Sequence, residues 1–146
     1  SDAEIRHLAK MLRPLVTPRH FAIAELKGQP VAMVVTLPNV NEAIADLDGR
    51  LLPFGWAKLL WRVKVKATKS VRMPLMGVRK EYQGGLTGAV LAFSVIDAIR
   101  TAQIQSGVEM AELSWILEDN LSVRHMIEQG GGVAYKTYRI YERALL

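Results

Sequence analysis

Cysteine is absent from the 146 residues. That rules out disulfides, thiolate metal sites and a cysteine nucleophile, and it fits a reducing, cytoplasmic compartment. No apolar run approaches the ~20 residues of a membrane span. No signal-peptide pattern is visible. Internal repeats and low-complexity segments are lacking too. The chain opens on Ser1 and not on methionine, so the expectation is one domain, 1–146, that is a fragment or the C-terminal half of something longer. One absence is local: from Arg50 to Lys80 there is no acidic residue, yet Arg50, Lys58, Arg62, Lys64, Lys66, Lys69, Arg72, Arg79 and Lys80 are all basic. These nine charges set against a net +5 leave −4 for the remainder. A block of this kind is either a solvated face or an attractor of anions: a phosphorylated cofactor, nucleic acid or an anionic membrane.

What is present is a globular composition, half hydrophobic and 23% charged, long enough to bury a core without cross-links. Ile5, Leu8, Ala9, Leu12 and Val16 recur at helical spacing, so 2–16 is expected to be a helix with Asp2 at its N-cap, ended by Pro14 and Pro18. Residues 20–37 read as a hairpin, FAIAEL and VAMVVTL around the turn Lys27-Gly28-Gln29-Pro30. His20, beside Pro18, is expected to be structural. Asn39 and Asn41 are candidate caps of a short helix running to Asp46. In 54–66 apolar Phe54, Trp56, Leu59, Leu60, Trp61 and Val63 mix with basic Lys58, Arg62, Lys64 and Lys66. That mixture suits an interfacial amphipathic helix; the plainer expectation is a helix packed on a sheet with its lysine stems reaching out to solvent. A third use is as a wall of a substrate groove.

The second half alternates regularly. Ser70–Val78 reads as a strand, 86–105 as a long helix ended by Gly107, and 110–117 as a buried strand. Ser122–Gln129 reads as a helix stopped by Gly130-Gly131-Gly132, and 133–141 as a last strand. Strand–helix–strand order implies parallel or mixed β–α–β units, an α/β (α+β) fold with its sheet flanked by helices. The turn between Val78 and the long helix is the pivotal stretch. A strand that ends in glycines and runs into a helix leaves backbone N–H groups open to phosphate.

The stretch Met76-Gly77-Val78-Arg79-Lys80-Glu81-Tyr82-Gln83-Gly84-Gly85-Leu86-Thr87-Gly88-Ala89 resembles the cofactor motif of the GNAT-type acyl-CoA N-acyltransferase superfamily. In that family a strand is followed by Gln/Arg-x-x-Gly-x-Gly/Ala. Leu86 departs from the usual middle glycine, and Gly85 is expected to serve in its place. A second landmark, a strand ending in Glu and Asn and then a helix leading to Gly-Phe, is matched by Trp115-Ile116-Leu117-Glu118-Asp119-Asn120 and the helix to Gly130-Gly131-Gly132. There Gly131 or Gly132 replaces the phenylalanine. The likeness covers roughly 71–141.

The resemblance implies a splayed pair of parallel strands and acetyl-CoA or another acyl-CoA as cofactor. Backbone near Met76, Gly77 and Val78 would pair with the pantetheine arm. The N–H groups of Gln83, Gly84, Gly85, Leu86, Thr87 and Gly88 would hold the pyrophosphate, with Asn120 beside the cleft. Arg79 and Lys80 would meet the outer phosphates. It further implies direct attack by a small-molecule or peptide amine, with no metal, and leaves a homodimer open. Glu112 and Glu118 are the candidate bases. The family's usual tyrosine acid falls on Ile127, with His125 and Tyr135 the nearest stand-ins. Two other readings compete: a non-catalytic CoA-binding or interaction domain, and a module for an anionic membrane or nucleic acid.

Overall fold

In the computed structural model of the protein, residues 2–66 and 68–143 are described, the side chains of Asp2, Ile5 and Leu8 excepted. Contacts divide the chain into two compact units, Ser1–Ser114 and Trp115–Leu146.

The first unit is built on a four-stranded mixed sheet in the order β1-β2-β3-β4. Strands β1 (Phe21–Leu26) and β2 (Gln29–Pro38) form the expected hairpin. Lys27 and Gly28 both take positive φ in its two-residue turn, the conformation that suits the twist of a tight hairpin. β3 (Ser70–Val78) pairs antiparallel with β2 and parallel with β4 (Met110–Leu113). A parallel neighbour needs a crossover, and helix α4 (Gly85–Gln105) supplies it.

α4 packs on the sheet face formed by Ala22, Ala24, Ala32, Val34, Met76 and Val78, burying Ala92, Val95 and Ile99. Small alanines on the strands let the helix approach closely, and branched side chains fill the layer between. The length and composition of α4 alone would suit a membrane span. Here one side of it is sheet core. Its C-terminus ends as the Gly107 signal predicts: Gly107 N–H donates to Ile104 O at 2.9 Å and Val108 N–H to Gln103 O at 3.1 Å, with Gly107 at φ +84°. These are the paired bonds of a Schellman motif. Buried Gln103 donates through Nε2 to Thr36 Oγ1 and to Arg19 O, both at 2.9 Å, tying α4 to β2 and to the turn at Pro18–His20. His20 is structural, as expected. It is buried, its Nδ1 accepts from the Thr17 N–H at 3.0 Å, and burial, then the Arg19 charge, hold its pKa below 6.5.

Several boundaries differ from expectation. Helix α1 (Asp2–Leu12) stops before Pro14, because proline cannot donate to the preceding turn and its ring crowds it; the proposed Asp2 cap lies outside the described side chains. Helix α2 (Val40–Ile44) begins after Asn39, but the Asn39 side chain does not cap it and instead donates to Ser70 Oγ at 2.9 Å. Helix α3 (Gly55–Trp61) continues as a wider turn through Arg62–Lys66. It does not pack on the sheet as the plainer expectation had it. It lies beside α2, and of its apolar side chains and those of the turn only Val63 is fully buried. The anchor is polar: Arg62 binds the Ala43 carbonyl and, with Lys58, the carboxylate of Asp46.

In the second unit, helix α5 (Leu121–Gln129) starts at Asn120, whose Oδ1 accepts from the Val123 N–H at 3.4 Å. Residues 133–143, expected to hold a strand at 133–141, join no ladder. Alternation prepares a face, but a strand exists only where a neighbour takes its backbone bonds. Trp115 and Tyr138 meet edge to face, centroids 6.4 Å apart.

Candidate functional site

Strand β3 is the spine of the site. Its parallel ladder with β4 runs from Ser70↔Met110 to Met73↔Leu113 and stops. β3 itself runs on to Val78, held only by β2. The strand expected over 110–117 thus ends at Leu113. The two parallel strands separate there, leaving one edge of residues 74–78 without a strand partner.

The physical cause is legible in the register. On β2, Val35 to Leu37 is a step of two; on β3 the partners Leu75 to Arg72 are a step of three. One extra residue is accommodated around Met73-Pro74. Bulges of this kind bend the strand, and proline, which has no N–H to give a ladder, is found at such places. The extra residue also explains why Met73 and Met76, three apart, both pack against the α4 core. Pro74 was not singled out in the sequence, although a proline inside a strand pattern is a signal for a bulge. Ser114 was missed as well. It follows the last paired residue of β4, and among the described residues its Oγ is buried without a hydrogen-bond partner.

Beyond Val78 the chain makes a tight turn at Lys80–Tyr82 and enters α4. The Arg79 N–H donates to Val31 O at 2.8 Å, pinning the end of β3 to β2. Gln83 Nε2 donates to Val78 O at 2.7 Å, closing the turn. The backbone N–H of Gln83 is spent on Lys80 O at 3.2 Å. That corrects the expectation that Gln83 supplies an open backbone donor. The open set is the helix's own first turn. The N–H groups of Gly84 to Thr87 have no partner within a helix that starts here, and none of them donates to the neighbouring turn.

The glycines of the turn differ in what a Cβ on each would meet. Gly84 and Gly85 take φ +87° and +62°, with nothing within 4 Å of where a Cβ would lie. They set the direction of the turn. The close approach belongs to Gly88, whose Cβ would lie 2.5 Å from the Tyr82 carbonyl oxygen. Leu86 is exposed at 80%.

Positive charge stands nearby. Arg79 Nε lies 3.5 Å from Glu81 Oε1, and Lys80 has no carboxylate partner among the described residues. Across the sheet face opposite α4, Ile23, Met33 and Gly77 stand in one row. With Pro30, Val78 and Arg79 they border a hollow of about 390 Å³.

The proposed acid–base residues fall in both units. Glu112, on β4, accepts from Arg72 Nη2 at 2.9 Å and Nε at 3.3 Å across the parallel ladder. Both bonds fall on one carboxylate oxygen, Oε2. Glu118, Asn120 and Tyr135 belong to the second unit. The Glu118 side chain is exposed and its backbone carbonyl accepts from Arg124. Tyr135 carries the Lys136 ammonium 5.0 Å from its ring centre. Ile127 packs directly against Gly132, where a Cβ would collide with the Ile127 side chain. No cluster of three or more metal-type ligands occurs among the described residues.

A mixed sheet whose parallel pair parts beside a glycine turn and a crossover helix is the GNAT-type acetyltransferase fold, and this chain has it. It superposes on the aminoglycoside N-acetyltransferase AAC(6')-Iy in complex with CoA with a TM-score of 0.52 at 15% identity, over 99% of this chain and 92% of that one. The ribosomal-protein-alanine N-acetyltransferase of Brucella melitensis biovar Abortus 2308 gives a TM-score of 0.51 at 14% identity, covering 84% of this chain and 68% of that one. No protein-family model matches the sequence. Sequence relatives are nearer. Bacterial ceramide synthase of Caulobacter vibrioides is 51% identical over 145 residues, 99% of this chain and 38% of that protein. Protein YghO of Escherichia coli is 46% identical over 145 residues, 99% of this chain and 37% of that protein. The chain thus spans well under half the length of the curated relatives it matches.

Proposed function

We propose that this chain is the acyl-CoA-binding part of an N-acyltransferase that moves an acyl group from acyl-CoA to an amine in the cytoplasm. The observation that carries the reading is the parting of β3 and β4 after Met73 and Leu113, with β3 running on to Val78 and through a turn into an open helix N-terminus. Acyl-CoA is the substrate whose shape such a site suits. Its pantetheine amides pair with an extended edge, here residues 74–78, as an added strand would. Its pyrophosphate is met by the N–H groups of Gly84, Gly85, Leu86 and Thr87 and by the α4 dipole. Arg79 and Lys80 neutralise the outer phosphate. The Ser114 hydroxyl, buried and unpartnered, offers a hydrogen bond where the strands part.

The reaction needs no protein nucleophile. The amine nitrogen attacks the thioester carbonyl, a C–N bond forms, and the C–S bond breaks to release CoA thiolate. A base takes the ammonium proton and an acid returns one to sulfur. The resemblance names Glu112 and Glu118 as candidate bases, Tyr135 as a stand-in acid and Asn120 as cofactor-binding, the last three of these lying beyond Ser114 in the second unit. The 51% identity to a bacterial ceramide synthase favours a fatty acyl group and a long-chain amino alcohol as acceptor, since a ceramide is the amide of those two.

A second reading, CoA binding without turnover, is favoured by Ile127 at the family's acid position and by the Arg72 grip on Glu112. One pair of measurements separates them. Calorimetric titration with acetyl-CoA and palmitoyl-CoA tests binding, and free-thiol release with sphinganine and simpler amines tests turnover. Binding with thiol release lost in Glu118→Ala supports transfer. Binding with no thiol release selects the second reading, and no binding at millimolar acyl-CoA refutes both.

A further inference from the structure

We propose that the segment 50–66 docks the protein on the surface of an anionic phospholipid bilayer. Six large apolar side chains in this one stretch face water: Leu51 at 45%, Leu52 at 80%, Phe54 at 78%, Trp56 at 52%, Trp61 at 54% and Val65 at 68% exposure. Scattered exposed apolar residues are ordinary, but a contiguous set marks a contact surface. Phe54, Lys58, Trp61 and Val65 recur at steps of four, three and four, so they share the outer side of α3 and the turn that follows it. Half-buried Leu59 and Leu60 and buried Val63 take the inner side.

The patch is held in place. Val63 is 1% exposed, and Arg62 Nη1 donates to Ala43 O at 2.8 Å. The indole N–H of Trp56 is satisfied by Pro53 O at 3.0 Å.

Charge identifies the partner. Lys58 and Arg62 are matched by Asp46. Exposed Arg50, Lys64 and Lys66 have no carboxylate partner among the described residues. Residues 46–66 hold five basic and two acidic side chains, a net +3. Aromatic rings at headgroup depth, aliphatic side chains below them and lysines reaching to lipid phosphates are the components of an interfacial anchor. A nucleic acid rewards the lysines but leaves Leu51, Leu52 and Val65 in water. This surface shares no residue with the acyl-CoA site and does not depend on that assignment.

The test is co-sedimentation of the 146-residue chain with vesicles of phosphatidylcholine alone and of phosphatidylcholine with phosphatidylglycerol. Binding is expected to the anionic vesicles and to fall steeply with salt. Lys64→Glu with Lys66→Glu should weaken it at least about tenfold, since each lysine at an anionic leaflet is worth about 1 kcal/mol. Phe54→Ser with Trp61→Ser should abolish it while leaving the circular dichroism melt unchanged. Retained vesicle binding in both double variants overturns the proposal. So does the absence of binding to anionic vesicles, a preference for DNA or RNA over them, or a dimer in solution that Phe54→Ser with Trp61→Ser dissolves.

Discussion

Gly88→Ala is the sharpest perturbation of the turn on which the site rests. The added Cβ would lie 2.5 Å from the Tyr82 carbonyl oxygen and 3.5 Å from Gln83 Cα. An unstrained carbon–oxygen contact is about 3.3 Å or more, so the first turn of α4 and the Lys80–Tyr82 turn must separate by roughly 0.8 Å. The obstacle is backbone, so no rotamer change relieves it. Overpacking of this kind costs about 1–3 kcal/mol. Alanine's better helix propensity returns up to about 1 kcal/mol. The net expectation is a loss of about 1–2 kcal/mol, or a melting temperature lowered by roughly 3–8 °C for a chain of this size. The same displacement moves Gln83 away from the open N–H groups of Gly84 to Thr87, and a misplacement approaching 1 Å is enough to cost a site one to two orders of magnitude. Acetyl-CoA affinity by calorimetry should therefore drop at least about tenfold. Gly77→Ala is the stability control, because its Cβ meets nothing within 4 Å, and its melt should stay near that of the parent. A Gly88→Ala protein that melts at or above the parent temperature and binds acetyl-CoA equally well would refute the close-approach role of this glycine.

Glu42→Gln should loosen the start of β3. One carboxylate oxygen accepts from the Lys69 N–H at 2.8 Å, and the other from the Ser70 N–H at 3.0 Å and Ser70 Oγ at 2.8 Å. An amide keeps only one accepting oxygen, so about 1 kcal/mol is lost at this exposed position. Burial pushes the Glu42 pKa up, but those bonds and the Lys69 charge outweigh it and leave it below 4.5. A depressed carboxylate stabilises the fold fully above its unfolded pKa, and that stability is lost as pH falls through the folded value. The difference between parent and Glu42→Gln should hold from pH 8 to 5 and shrink below about 4.5; a difference that stays constant to pH 3 contradicts the clamp. His20 carries the opposite chemistry with the same direction. Its folded pKa lies below 6.5 because burial, then Arg19, disfavours the cation. The unfolded chain therefore takes up the proton first, and stability declines as pH drops below 6.5. Thermal melts should fall from pH 7 to 5.5, with a shallower slope in His20→Asn; equal slopes would remove His20 as the cause.

Local chemistry was legible wherever it was also sufficient. The β1–β2 hairpin follows from a two-residue turn that tolerates positive φ, β3 from its flanking breakers, and the end of α4 from Gly107. The glycine turn before α4, and through it the GNAT-type fold, followed from residues near one another in the chain. Elements that need a distant partner were read less well. The strand pattern at 133–141 was as regular as that of β1, yet no ladder takes it up. The mixed apolar and basic pattern at 54–66 suits an interfacial helix as well as one packed on the sheet, and only the burial of Val63 against the exposure of Phe54, Trp56, Trp61 and Val65 shows that it lies mostly at the surface.

What the sequence by itself determined is most of the elements, the glycine turn before α4 and the basic block, because backbone conformation, capping and charge are properties of neighbouring residues. Only the tertiary structure decided where β3 and β4 part, that Gly88 lies against the Tyr82 carbonyl, that Gln83 spends its N–H inside the turn, and which basic side chains are already paired. Each of these depends on distances between residues remote in sequence, across a sheet register that one extra residue at Pro74 shifts.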